Sequence, residues 1–224
     1  MGAVDVYLEV GKKRVFASAV EWPGWCRSSR DQASALQALI DYAPRYAATV
    51  DKADRSFKAP AQPGNLHVTE RLPGDATTDF GAPHIAASTD SRPLEKAELD
   101  SLANLLEACW HAFDDAANAS ASTRLSAGPR GGGRDVAKMR AHVLDADAAY
   151  VGQLGGRFTA SGRGVDADLE LVRQAFLEAA AARARGQLPD RGPRGGLRWS
   201  PRYAIRRSGW HSLDHAWEIA DRST

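Results

Sequence analysis

Apolar and polar residues alternate through VDVYLEV (residues 4–10), and the strand-like pattern resumes in KRVFASAVEW after a Gly11-Lys12-Lys13 turn, which predicts a β-hairpin. WPGW (residues 22–25) breaks the pattern, because Pro23 fixes φ and Gly24 tolerates a turn. The period then changes. In SRDQASALQALIDYAPRYAATVDKA, Leu36, Leu39, Ile40 and Ala43 recur at helical spacing. Ser29 or Asp31 is placed to cap this helix, and Pro44 ends or kinks it. NLHVTERL (residues 65–72) reads as a returning third strand.

Residues 73–92 hold many turn formers and no sustained period, so they read as a linker or irregular crossover. Beyond them the pattern is helical throughout. Leu99, Leu102, Leu106, Cys109, Trp110 and Phe113 line one face of a first helix that opens with Pro93 and acidic residues. GPRGGGR (residues 128–134) is a flexible break. A second helix starts near Asp135 and stops at Gly155-Gly156; a third carries Leu169, Val172, Phe176 and Ala180 on one face. RGPRGGLRW (residues 191–199) is another Gly-rich break before a fourth helix from about Pro201 to Asp221. The expected fold is α+β: a small N-terminal unit of hairpin and helix over residues 1–72, a linker over 73–92, and an antiparallel four-helix bundle over 93–224.

Composition narrows the function classes. A chain of 224 residues with a net charge of +1 has no global attraction to nucleic acid or anionic membrane. No apolar run approaches the ~20 residues that span a bilayer, the N-terminus lacks a signal-type apolar core, and no Ser/Thr stands where myristoylation needs one. Cys26 and Cys109 make neither a disulfide framework nor a CxxC pair. The expectation is a cytoplasmic enzyme or binding protein that takes no nucleic acid or membrane partner, with a homodimer as the default oligomer.

The spacing of chemistry is concentrated at the C-terminal end. His211 and His215 lie four apart on the fourth helix, so both imidazoles share a face and can reach one ion at ~2.0–2.1 Å. Two ligands are not a site, because an open metal centre takes three protein ligands. His142, midway along the second helix with Met139, Ala146 and Tyr150, is the next candidate. A chance HxxxH pair and a satisfied core histidine remain the alternatives on spacing alone. His111 reads as structural, and His67 and His84 have no partner at useful spacing.

Glu218 shares the histidine face, placed either to orient an imidazole or to pair with Arg222. Asp214 sits at the edge of that face, where it would pair with Arg207. Trp210 and Trp217, seven apart, read as core, with a cofactor or substrate wall as the second reading; Cys109 reads as core. Arg202, Arg206 and Arg207 near the helix start are candidate anion binders. No catalytic acid or base can be assigned.

Residues 93–222 resemble the DinB-like (damage-inducible) four-helix-bundle superfamily, through KMRAHVLDADAAYVGQL and RRSGWHSLDHAWEIADR. The resemblance implies a three-histidine site for a divalent metal, aligned with His142, His211 and His215. Zinc or nickel stands foremost, with iron and copper open. It also implies a metal-dependent S-transferase or isomerase that uses a low-molecular-weight thiol of the mycothiol or bacillithiol type and an electrophilic substrate. A non-catalytic metal-binding stress or regulatory module, its N-terminal domain docking a partner, is the alternative reading; a metal-dependent hydrolase is the third. VFASAVEWPGWCRSSRDQASALQALIDY looks like the HicB antitoxin-type fold, which implies a small α/β unit at residues 1–70.

Overall fold

A computed structural model describes residues 3–51, 53, 55–127 and 133–223. The expected hairpin forms from β1 (Val4–Val10) and β2 (Val15–Ala19), antiparallel, with Val6 opposite Ala19 and Val10 opposite Val15. β3 (Cys26–Ser29) pairs antiparallel with β2. Its sequence, CRSS, has too few apolar residues to announce a strand; it is held by the edge of β2. Two helices follow, α1 (Gln32–Asp41) and α2 (Ala43–Val50). Asp31 caps α1 by accepting from the Ser34 amide at 2.8 Å. Pro44 lies in the first turn of α2, where a missing N–H breaks no helical bond. β4 (Leu66–Pro73) returns parallel to β1, giving the order β3-β2-β1-β4.

The stretch expected to be irregular, residues 73–92, contains α3 (Ala76–Phe80) and a 3-10 turn at Ser88–Ser91. The cause lies outside the segment. Glu9 of β1 is fully buried; its carboxylate accepts from the Thr78 hydroxyl and from the amides of His84 (2.8 and 3.0 Å) and Ile85 (3.0 Å). A buried carboxylate requires such donors, so the segment is pinned to the sheet. No local period encodes that.

Four long helices complete the chain: α4 (Lys96–Ala119), α5 (Val136–Leu154), α6 (Val165–Ala184) and α7 (Pro201–Arg222). Of the expected GPRGGGR break, residues 128–132 lie outside the described residues. Asp135 caps α5 through the Lys138 amide, and Gly155 ends it at φ +97°, a backbone region that favours glycine. The expected apolar faces of α4 and α6 are buried. Leu99, Leu102, Leu106 and Trp110 of α4 and Val172, Phe176 and Ala180 of α6 pack with Tyr150, Val151 and Leu154 of α5 and with Ala204 and Ile205 of α7. Each fully buried Leu or Phe there contributes about 1.5–3 kcal/mol. Among the described residues the fold is thus α+β, with seven α-helices and one four-stranded sheet. No helix among them is long and apolar enough to cross a membrane.

α7 positions the rest. Sixteen of its 22 residues are buried, although it carries four arginines and two histidines. On one side, Leu213 and Trp217 share a core with Trp25, Leu39 and Tyr46 of the N-terminal unit and with Leu105 and Cys109 of α4. The WPGW turn docks against it. Gly24, at φ +90°, and Gly209 bring their backbones together, and a Cβ on Gly209 would stand 3.2 Å from the Gly24 nitrogen. The Tyr46 hydroxyl donates to the Pro23 carbonyl at 2.8 Å and fixes the turn.

Candidate metal centre

His142 projects from α5 toward α7, where His211 and His215 stand one turn apart. The three rings meet edge to face, with centroids 5.0 Å (His142–His211), 5.1 Å (His142–His215) and 4.8 Å (His211–His215) apart. One ring nitrogen from each lies within 4.8 Å of the others. Nε2 of His142 and Nε2 of His211 are 3.1 Å apart. Bonds of ~2.0–2.1 Å at tetrahedral angles separate two ligand atoms by about 3.3 Å. The spacing therefore fits two ligands of one ion as well as a hydrogen bond between two imidazoles.

Protonation favours ligation. Burial pushes His211 well below its ordinary pKa, and the neighbouring His215 and His142 push the same way. His142, half-buried, is also lowered, by burial first and then by Arg134 and His215. A neutral imidazole is the form that holds a metal. The Nδ1 of His211 is buried with no hydrogen-bond partner among the described residues.

Glu218 does both things its position allowed. Its Oε2 lies 3.1 Å from Nδ1 of His215, and its Oε1 accepts from Nη1 of Arg222 at 2.7 Å. These bonds hold its carboxyl below the usual range, with the His215 contact the largest cause. A carboxylate only accepts, so Nδ1 of His215 carries a proton, which leaves Nε2 as the nitrogen a metal would take. Arg222 is itself fixed by the carbonyls of Ser126 (2.8 Å) and Arg134 (3.1 Å). Imidazole, carboxylate and guanidinium form one oriented chain along α7.

Other expectations change. Asp214 pairs with Arg27 of β3 at 2.9 Å instead of with Arg207, because the docked sheet presents that arginine to it. Arg202 and Arg206 are committed inside the fold. Arg202 clamps Glu98 and the Pro93 carbonyl; Arg206 pairs with buried Asp90 and donates to the carbonyls of Ala19 (2.8 Å) and Val20 (2.9 Å). Arg207 differs. Its guanidinium lies 4.6 Å from the Trp210 ring and 5.9 Å from the Tyr150 ring, with Nε and Nη1 buried and unpartnered among the described residues. Trp210 packs on Phe16 and stands 6.0 Å from His211, so it is core on one side and site wall on the other. His67 and His84 pair with Asp5 (2.9 Å) and Asp75 (2.8 Å), away from the cluster. His111 is exposed on α4.

One buried group escaped the sequence reading. Asp147 of α5 is fully buried; it accepts from the Ser208 hydroxyl at 2.9 Å, and Ser208 in turn accepts from Nε1 of Trp110 at 3.1 Å. Its other oxygen has no partner among the described residues, and burial pushes its pKa up to about 7. The signal was present: Asp147 interrupts the apolar stripe Val143–Asp147–Tyr150–Val151–Leu154 at helical spacing.

A cleft of about 710 Å³ between α4 and α6 is lined by none of the three histidines. The arginines that line it are neutralised, Arg173 by Asp114 and Arg140 by Asp166, both at 2.6 Å. Chemistry is concentrated at the histidines. Compared with known proteins, the chain matches no family model, no curated protein and no solved structure.

Proposed function

We propose that His142, His211 and His215 are the protein ligands of one divalent metal ion, in a DinB-like four-helix bundle of α4–α7 preceded by a HicB-like unit, and that the protein is a thiol-dependent S-transferase or isomerase. The observation that carries this reading is the convergence of three imidazoles from two helices, one of them oriented by Glu218. Zinc or nickel suits such a donor set. An ion held by three neutral ligands keeps its full charge and supplies the Lewis acidity that favours the thiolate form of a thiol. The residues supply the rest. Glu218 fixes the tautomer of His215, and Trp210 and Tyr150 wall the approach to His211. Half-buried His142 is the ligand nearest solvent.

Metal analysis of the purified protein, followed by Co²⁺ substitution and titration with a low-molecular-weight thiol, tests the proposal. The expected result is one ion per chain, lost in His142→Ala and His211→Ala, and a cobalt spectrum that changes on adding thiol. Equal metal in those variants would remove the site. A cobalt spectrum indifferent to every thiol would leave a metal-binding protein without the transferase chemistry.

A further inference from the structure

Three arginines in the first two turns of α7 differ in what answers their charge. Arg202 has Glu98 and Arg206 has Asp90. Arg207 enters no ion pair among the described residues, yet two of its three guanidinium nitrogens are shut off from solvent. A buried charged donor without an acceptor is costly, more so than a neutral one, and is kept where something outside the chain answers it. The guanidinium is also preorganised. The Trp210 indole supports it at 4.6 Å, and Trp210 is locked in turn by its edge contact with Phe16. Tyr150 stands beside it, its phenol kept protonated by burial and its oxygen placed to accept from the guanidinium, which leaves Nε and Nη1 as the unmet donors.

Position adds the second half. Arg207 is four residues before His211, so its side chain leaves the same face of α7 as the histidines, one turn (~5.4 Å) away. A guanidinium with unmet N–H donors suits a carboxylate, and it keeps its charge where a buried lysine would lose it.

Resting on the metal-centre reading above, we infer that Arg207 is a carboxylate-recognition residue, so that the reactants of this centre include a small carboxylate held between Arg207 and the three histidines. Arg207 then sets both specificity and orientation. One end of the ligand is fixed by the guanidinium on its indole platform while the other faces the histidine cluster. The carboxylate can belong to the thiol itself or to the second reactant.

Three probes on the Co²⁺-loaded protein separate these cases: 3-mercaptopropionate, its neutral isostere 3-mercaptopropionamide, and propionate added with the amide. If the thiol carries the carboxylate, 3-mercaptopropionate half-saturates the cobalt spectrum at a concentration at least ~10-fold lower than the amide, the worth of one charge-assisted hydrogen bond. If the second reactant carries it, propionate instead lowers the half-saturation of the amide. Either preference is lost in Arg207→Met and partly kept in Arg207→Lys, with cobalt stoichiometry and the response to the amide alone unchanged. Equal half-saturation of all probes in the wild type, or a preference that survives in Arg207→Met, overturns the inference while leaving the metal centre intact. Failure to take up cobalt overturns both, and is seen directly as a missing spectrum. Should Arg207→Met not fold, Arg207→Lys and the wild-type comparison decide the matter alone.

Discussion

On the sheet side of α7, Arg206 meets Asp90 and two carbonyls, Asp214 meets Arg27, and the backbone of Gly209 lies against that of Gly24; of these polar side-chain atoms only Nε of Arg206 is buried without a partner. On the side facing α5 the residue types are similar and the outcome is opposite. Among the described residues Arg207 has two buried donors unmet, His211 one ring nitrogen, and Asp147 one oxygen. Buried polar groups are ordinarily paired, and stability argues for pairing them. The unmet groups thus gather on the side that carries the histidines. The paired side is what makes that affordable, because it fastens α7 to the sheet unit and fixes the direction of its other face.

The largest test of this contrast sets Arg206 against Arg207. Arg206→Met strands buried Asp90 and is expected to cost about 3–5 kcal/mol in chemical denaturation. Arg207→Met strands no buried carboxylate among the described residues and is expected to stay within about 1 kcal/mol of the wild type. Equal losses would erase the distinction between the two sides.

Asp147 gives a pH signature. Its folded pKa of about 7 lies above the ordinary 3.8, so the protonated form favours folding. Its contribution is full below about pH 4 and is lost as pH rises through about 7, at most about 4 kcal/mol over that span. Asp147→Asn is expected to flatten the stability profile between pH 4 and 7; an unchanged slope would place the titration elsewhere.

Fastening is tested next by Gly24→Ala. It places a Cβ 2.8 Å from Sγ of Cys109 and 2.9 Å from Cδ1 of Leu213, at a positive φ, and is expected to cost about 2–4 kcal/mol and to weaken metal retention, because α7 shifts with Leu213. A stability loss with metal affinity untouched would show that the sheet unit does not position the ligands. The smallest effect is expected from Glu218→Gln, which keeps the shape and loses the charge that orients His215. Metal affinity should fall about 10–100-fold in competition with a chelator, at nearly unchanged stability.

Much of the fold was legible because its causes are local. The Val4–Val10 alternation, the apolar faces of α4 and α6, the Asp135 cap and the Gly155 stop each depend on neighbours within a turn or two. β3 was missed, since CRSS becomes a strand only against β2, and the order inside residues 73–92 was missed, since it hangs on Glu9 far back in the chain. The site divides the same way. The shared face of His211, His215 and Glu218 follows from 3.6 residues per turn, whereas the partner of Asp214 does not.

The sequence by itself determined the helix periods, the hairpin, and the i, i+4 histidine pair with its carboxylate, because backbone geometry sets which nearby residues share a face. Tertiary structure decided that His142 of α5 joins that pair, that Arg202 and Arg206 are spent on Glu98 and Asp90, and that Nε and Nη1 of Arg207 meet no acceptor among the described residues. Those outcomes depend on which surfaces meet when α7 is packed between the sheet unit and α5, and contacts across elements are fixed by packing, not by spacing along one chain.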